Sequence, residues 1–165
     1  MSVKIKIAIV GLVLAAAAPA NAQVVTEKNI SAAMALTIAQ TAMETCQAQG
    51  YRVSVTVVDR AGETKLLVRG DGANPHTPEN SRRKAYTAKT IRASSADFAK
   101  RVNDPANLTA RAQATLPGFI ALAGAVPIKV GDDVIGAVGV SGAPGGERDE
   151  ACAQAGIDKV ADHLK

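Results

Sequence analysis

Residues 52–58, Arg-Val-Ser-Val-Thr-Val-Val, alternate apolar side chains with small polar ones, which is typical of a β-strand. The next four residues, Asp59-Arg60-Ala61-Gly62, are common in turns, and residues 64–69 return to side chains that favour extended backbone. A strand, a short turn and a second strand follow one another directly. This stretch therefore predicts a β-hairpin.

A second hairpin is predicted near the end of the chain. Residues 125–130 and 134–140 have strand-like patterns, with Gly131-Asp132-Asp133 as a tight connection, and residues 119–122 predict a further strand. Helices are predicted at residues 29–49, at 78–92 with Thr77 as the cap, at 95–102, as a short helix or turn at 107–115, and at 147–164. Because short turns join neighbouring strands, we expect an α+β fold: an antiparallel sheet built from two hairpins with flanking helices.

The first 22 residues differ in character from the rest. Lys4 and Lys6 precede an apolar run over residues 7–18, and Ala20-Asn21-Ala22 supplies the small residues of a cleavage site. This pattern predicts a signal peptide at residues 1–22, a single domain at residues 23–165, and a periplasmic or secreted location. A buried or anchoring N-terminal helix is the alternative interpretation.

Composition excludes several classes of function. The 165 residues carry a formal charge of +4 with two Phe, two Tyr and no Trp, so aromatic stacking surfaces are scarce. The only dense basic run is Arg82-Arg83-Lys84, which does not amount to the basic face of a nucleic-acid-binding protein. After the leader, no apolar run is long enough to span a membrane, so we expect no integral membrane segment after cleavage.

The chain has two cysteines, Cys46 and Cys152, in the first and last predicted helices. In an oxidising compartment they can form one disulfide bond that closes a very long loop. Two separately buried thiols are equally compatible with the sequence. The sequence leaves both possibilities open.

His76 is the candidate metal ligand. It ends a glycine-rich loop just before the predicted second helix, whose first turns carry Arg82, Arg83, Lys84 and Tyr86. A neutral imidazole can coordinate haem iron, and cationic side chains can pair with the haem propionates. The alternative is a surface histidine beside a solvated basic helix face, with Glu79 and Arg83 as an i,i+4 ion pair.

Six segments of the sequence resemble those of a known family and occur in the same order. They are residues 53–62, 69–73, 81–88, 124–128, 134–142 and 149–153. On these motifs the chain is similar to the GlcG/HbpS family, also called the haem-degrading domain. The resemblance covers nearly all of the chain after the leader.

The resemblance implies a profilin-like or roadblock-like sheet, a symmetric homo-oligomer, and binding of haem or a related tetrapyrrole. It places His76 as a plausible haem ligand and matches Arg82, Arg83, Lys84 and Tyr86 to the family's helix motif, while no catalytic residue is carried over. We therefore expect an exported haem-binding protein with a possible slow haem-degrading or redox-sensing role. The alternatives are an accessory protein or enzyme for a small organic acid such as glycolate, and a structural oligomeric module.

Overall fold

A computed structural model describes residues 23–165, in which a four-stranded antiparallel sheet lies between two helical layers. The strands are β1 (Ser54–Val58), β2 (Thr64–Arg69), β3 (Ala125–Val130) and β4 (Asp133–Ser141), in the spatial order β2-β1-β4-β3. β1 pairs with β2 and β3 pairs with β4, so both predicted hairpins are confirmed. Antiparallel pairing of β1 with β4 joins the two hairpins, with Ser54 opposite Ser141 and Val58 opposite Ala137.

Helices cover both faces of the sheet, as the α+β prediction requires. They are α1 (Ala32–Ala48), α2 (Thr77–Ile91), α3 (Ser95–Asn103), α4 (Leu108–Gln113) and α5 (Gly146–Asp158), followed by a 3₁₀ turn at Ala161–His163. α1 and α5 pack against each other and on one face, whereas α2 crosses β1, β4 and β3 on the other. α3 packs on α2, and α4 on α3.

β1 is buried on both faces, so its alternation separates two interiors rather than interior from solvent. Val55 and Val57 join the main core beneath α1 and α5, whereas Val58 packs with Ala85 and Ala88 of α2. Its polar side chains meet the hydroxyl groups of α2: Ser54 Oγ lies 2.8 Å from Thr77 Oγ1, and Thr56 Oγ1 lies 2.7 Å from Ser81 Oγ. These hydrogen bonds satisfy polar groups that would otherwise be costly to bury.

Gly139 allows α2 to lie close to the sheet. A Cβ added to this β4 residue would lie 2.7 Å from the Ala85 nitrogen and would also collide with the Ser81 carbonyl oxygen. Both of these atoms belong to the backbone of α2, which cannot swing aside as a flexible side chain can. The residue type at position 139 therefore sets how closely the helix approaches the sheet.

We expect Gly139→Ala to lower the free energy of unfolding by about 1–3 kcal/mol, because the extra methyl group must push α2 off the sheet. Urea unfolding followed by circular dichroism measures the change. Unchanged stability would show that the helix approaches less closely than described.

The two cysteines are joined. Cys46 of α1 and Cys152 of α5 form a disulfide bond between residues separated by 106 positions, and both side chains are fully buried. The bond ties together the two helices of one layer. Of the two possibilities that the sequence left open, the structure contains the disulfide.

The predicted strand at residues 119–122 is wrong. This segment is irregular, and the Ile120 N–H donates to Thr87 Oγ1 of α2 at 3.0 Å instead of to a neighbouring strand. Phe119 is buried against Phe98 of α3. The apolar pattern of this segment reflects packing beneath the helices. Sequence periodicity alone does not distinguish such a packed irregular segment from a strand.

Two helix ends also differ from the prediction. Thr77 is the first residue of α2 rather than its cap, and its hydroxyl donates to the Asn74 carbonyl oxygen at 2.7 Å. His76 occupies the cap position without a side-chain capping bond. α5 ends at Asp158, so the apolar pattern that continues to Leu164 belongs to the 3₁₀ turn and its flanks.

The predicted signal peptide, residues 1–22, lies outside the described residues. Within residues 23–165, no helix combines the length and the apolar character that a membrane crossing needs.

Candidate functional site

His76 lies on the rim of an open cleft of about 370 Å³. The cleft is enclosed by the loop before α2, by residues 122–123, and by the turn at residues 141–146 that leads into α5. The His76 side chain is exposed, and Leu122 on the same rim is 46% exposed. An imidazole and an apolar side chain therefore face solvent together at one concave surface.

A buried ion pair forms the floor of this cleft. Lys84 Nζ of α2 lies 2.8 Å from Asp149 Oδ2 of α5, and the two side chains are only 5% and 3% exposed. Lys84 also donates to the Val140 carbonyl oxygen at 3.0 Å. The Ala143 N–H donates to Asp149 Oδ1 at 2.9 Å. The pair thus joins α2, β4, α5 and the turn before α5.

Gly124 covers the ion pair from the side of β3. Its φ is +128°, and an added Cβ would lie 2.7 Å from Lys84 Nζ and 2.8 Å from Asp149 Cβ. A side chain here would disrupt the pair as well as strain the backbone. Burial raises the pKa of Asp149 above its ordinary value, while the charge and hydrogen bond of Lys84 and the Ala143 N–H act in the opposite direction.

The other three predicted site residues do not line the cleft. Arg82 forms a two-point hydrogen bond with Glu79 at 2.9 and 2.8 Å, so the i,i+4 pair of Glu79 with Arg83 is not the one observed. Arg83 donates instead to the Phe119 carbonyl oxygen. Tyr86 packs edge-on against Phe119, with 5.6 Å between ring centroids. Of the predicted residues, the cleft brings together only His76 and Lys84.

Asp149 is the residue of the site that sequence reasoning missed. Its position in the acidic first turn of α5 is typical of a carboxylate that interacts favourably with the helix dipole. A local signal was available, because Cys152 and Ala153, three and four residues further on, lie on the buried face of α5. A carboxylate on the buried stripe of a helix needs a partner, and Lys84 is that partner.

Among the residues that line the cleft, His76 is an exposed side chain that could coordinate a metal. Within residues 23–165, no group of three or more His, Cys, Asp or Glu side chains could hold a metal. A haem brings its own four nitrogen ligands, and one axial imidazole from the protein is then sufficient. His76 fits that role and Leu122 offers apolar surface, whereas Lys84 is already paired with Asp149.

The comparisons with known proteins point to one family. Residues 30–158 match the family model described as haem-degrading protein HbpS-like. Protein GlcG of Escherichia coli K12 is 34% identical over 112 residues, covering 68% of this chain and 81% of that protein.

Two solved structures share the fold. The crystal structure of a double mutant of HbpS from Streptomyces reticuli superposes with a TM-score of 0.77 at 36% identity, covering 87% of this chain and 97% of that one. PduOC, crystallised in complex with heme, superposes with a TM-score of 0.72 at 23% identity, covering 79% of this chain and 94% of the other. The latter comparison concerns the fold alone.

Proposed function

This chain belongs to the HbpS-like family of haem-degrading proteins, and we propose that it is an exported haem-binding protein in which His76 coordinates the haem iron. The observation that carries the proposal is the exposed imidazole on the rim of a cleft, next to the exposed apolar side chain of Leu122. His76 occupies the N-cap position of α2, but its ring makes no capping hydrogen bond to the helix backbone. The ring nitrogens are therefore available to a ligand.

Arg82 does not line the cleft, so we propose it as the partner of a haem propionate that extends beyond the cleft rim. Arg82 is 35% exposed, and its present partner Glu79 is an exposed carboxylate, so the exchange of one surface ion pair for another costs little. Lys84 contributes indirectly, because its pairing with Asp149 shapes the floor of the cleft. Arg83 and Tyr86 support this end of α2 through their contacts with Phe119.

Bound haem would supply iron redox chemistry, including any slow oxidative breakdown of the macrocycle. The chain itself binds and orients the cofactor through His76 and the apolar rim. The family relationship supports a link to haem degradation.

The disulfide between Cys46 and Cys152 supports export, because such bonds persist in oxidising compartments. We also propose a homo-oligomer, in which another copy covers the two exposed leucines at α4 and just after it, Leu108 and Leu116, which are 71% and 51% exposed. Light scattering of the purified protein tests the oligomer.

A second candidate is the handling of a small organic acid such as glycolate. The cleft has the volume of a small-molecule site, and the exposed imidazole of His76 on its rim can donate a hydrogen bond to a carboxylate. Titration calorimetry with glycolate distinguishes the two functions. A protein that handles the organic acid should release or absorb heat on binding glycolate, whereas a haem-binding protein need not bind it.

We expect His76→Ala to weaken haem binding at least tenfold, because the iron loses its protein ligand. The measurement is a titration of purified protein with haem, followed by the shift of the Soret band. His163→Ala is the matched control, because His163 lies in the 3₁₀ turn after α5 and away from the cleft. Equal titration curves for the two variants would remove His76 from the site.

A further inference from the structure

A second, larger groove lies at the same end of the sheet, and haem coordination by His76 does not involve it. It has a volume of about 780 Å³ and lies between the C-terminal half of α1, residues 50–53, and residues 68–72 at the end of β2. This volume is within the range of ligand sites in proteins and is about twice that of the His76 cleft. We call it the Arg52 groove.

The groove combines an apolar wall with two guanidinium groups. Met43 and Val68 supply apolar surface, and Arg52 and Arg69 supply the positive charge. Asp71 is the single acidic side chain among the lining residues. The lining therefore has an excess of positive charge beside an apolar surface.

One loop, residues 70–73, lies against both arginines, and it holds Arg69 by hydrogen bonds. Arg69 donates through Nε and Nη2 to the Ala73 carbonyl oxygen, at 3.0 and 2.6 Å, which leaves its Nη1 donors for a ligand. Arg52 lies over Gly72, where an added Cβ would come within 2.8 Å of its Cδ. Arg52 makes no ion pair within residues 23–165, and its side chain is exposed.

Tyr51 completes the groove with an aromatic ring in a defined position. Arg148 of α5 donates to the Tyr51 hydroxyl at 2.7 Å, and its guanidinium lies 5.6 Å from the ring centroid. A ring that is held in this way offers a flat apolar surface without losing much freedom when a ligand binds.

We propose that the Arg52 groove binds a planar organic carboxylate. The planar body packs against Met43, Val68 and the Tyr51 ring, and the carboxylates pair with the guanidinium groups of Arg52 and Arg69. Arginine suits this role because its planar fork matches a carboxylate at two points.

Protoporphyrin IX is the probe, because it is planar, carries two carboxylates and has no iron for His76 to coordinate. We expect the full chain to bind the probe saturably, with porphyrin fluorescence as the readout. The His76→Ala variant should bind the probe with the same affinity as the wild type. Arg52→Gln should weaken probe binding at least fivefold. Arg111→Gln, at an exposed position of α4, is the matched control and should leave it unchanged. The dimethyl ester of the probe should bind at least fivefold more weakly than the acid.

The proposal is overturned if the probe does not bind saturably, if Arg52→Gln and Arg111→Gln behave alike, or if His76→Ala reduces binding of the iron-free probe. Haem titration of the same variants tests the proposed function separately. Loss of haem binding in His76→Ala with retained porphyrin binding supports two distinct sites.

Discussion

Lys84→Met should lower the free energy of unfolding by about 3–5 kcal/mol, because it leaves the Asp149 carboxylate buried without its counter-charge. Methionine keeps the length and most of the volume of the side chain, so the lost interaction is the charge and its two hydrogen bonds. Asp149 is only 3% exposed, and within residues 23–165 it forms an ion pair with no cation besides Lys84. Equilibrium urea unfolding of the purified variant measures the loss.

Two further variants show whether the unpaired charge is the cause. Lys100→Met, at an α3 position where the side chain is 79% exposed, should change stability by less than about 0.5 kcal/mol. In Lys84→Met combined with Asp149→Asn, the amide oxygen can still accept from the Ala143 N–H while the charge is gone. The double variant should therefore recover at least half of the loss. A single variant as stable as the wild type would mean that water, rather than Lys84, satisfies the carboxylate.

Replacement of both cysteines, Cys46→Ala with Cys152→Ala, should destabilise the fold by about 4–5 kcal/mol on the chain-entropy model. The bond closes a loop between residues 106 positions apart, so the unfolded chain gains much freedom when it is removed. The midpoint of urea unfolding under oxidising conditions should fall accordingly.

A reducing agent provides the control for this prediction. Added to the wild type, it should move the unfolding midpoint toward that of the double variant, and it should leave the double variant itself unchanged. Because the disulfide is fully buried, reduction should proceed through unfolded molecules. A wild type whose stability did not depend on the reducing agent would show that the bond contributes nothing in solution.

The elements that could be predicted from the sequence are those whose signal is local. The alternation of residues 52–58 and the turn at residues 59–62 are properties of neighbouring residues, and the structure contains the hairpin that they predict. The strand prediction at residues 119–122 is wrong because burial beneath helices and burial in a sheet select the same apolar side chains. Its backbone is bonded to Thr87, 33 residues earlier, which no local pattern reports.

The candidate site could be predicted in part. The loop-to-helix position of His76 was visible, and the structure places its ring at a cleft. The roles of the cationic residues that follow were not visible, because Arg82, Arg83 and Lys84 are consecutive on a helix and therefore point in different directions. One pairs with Glu79 at the surface, one with the Phe119 carbonyl, and one with Asp149 in the interior.

The sequence by itself determined the fold class, the two hairpins, the family and the position of one exposed histidine. Only the tertiary structure decided that Lys84 pairs with Asp149, 65 residues away, that Cys46 is joined to Cys152, and that Arg52 and Arg69 face one groove. The physical reason is that hydrogen-bond and side-chain patterns within an element depend on its neighbours along the chain. Whether a charge is solvated, paired or aimed at a ligand depends on what other elements bring beside it.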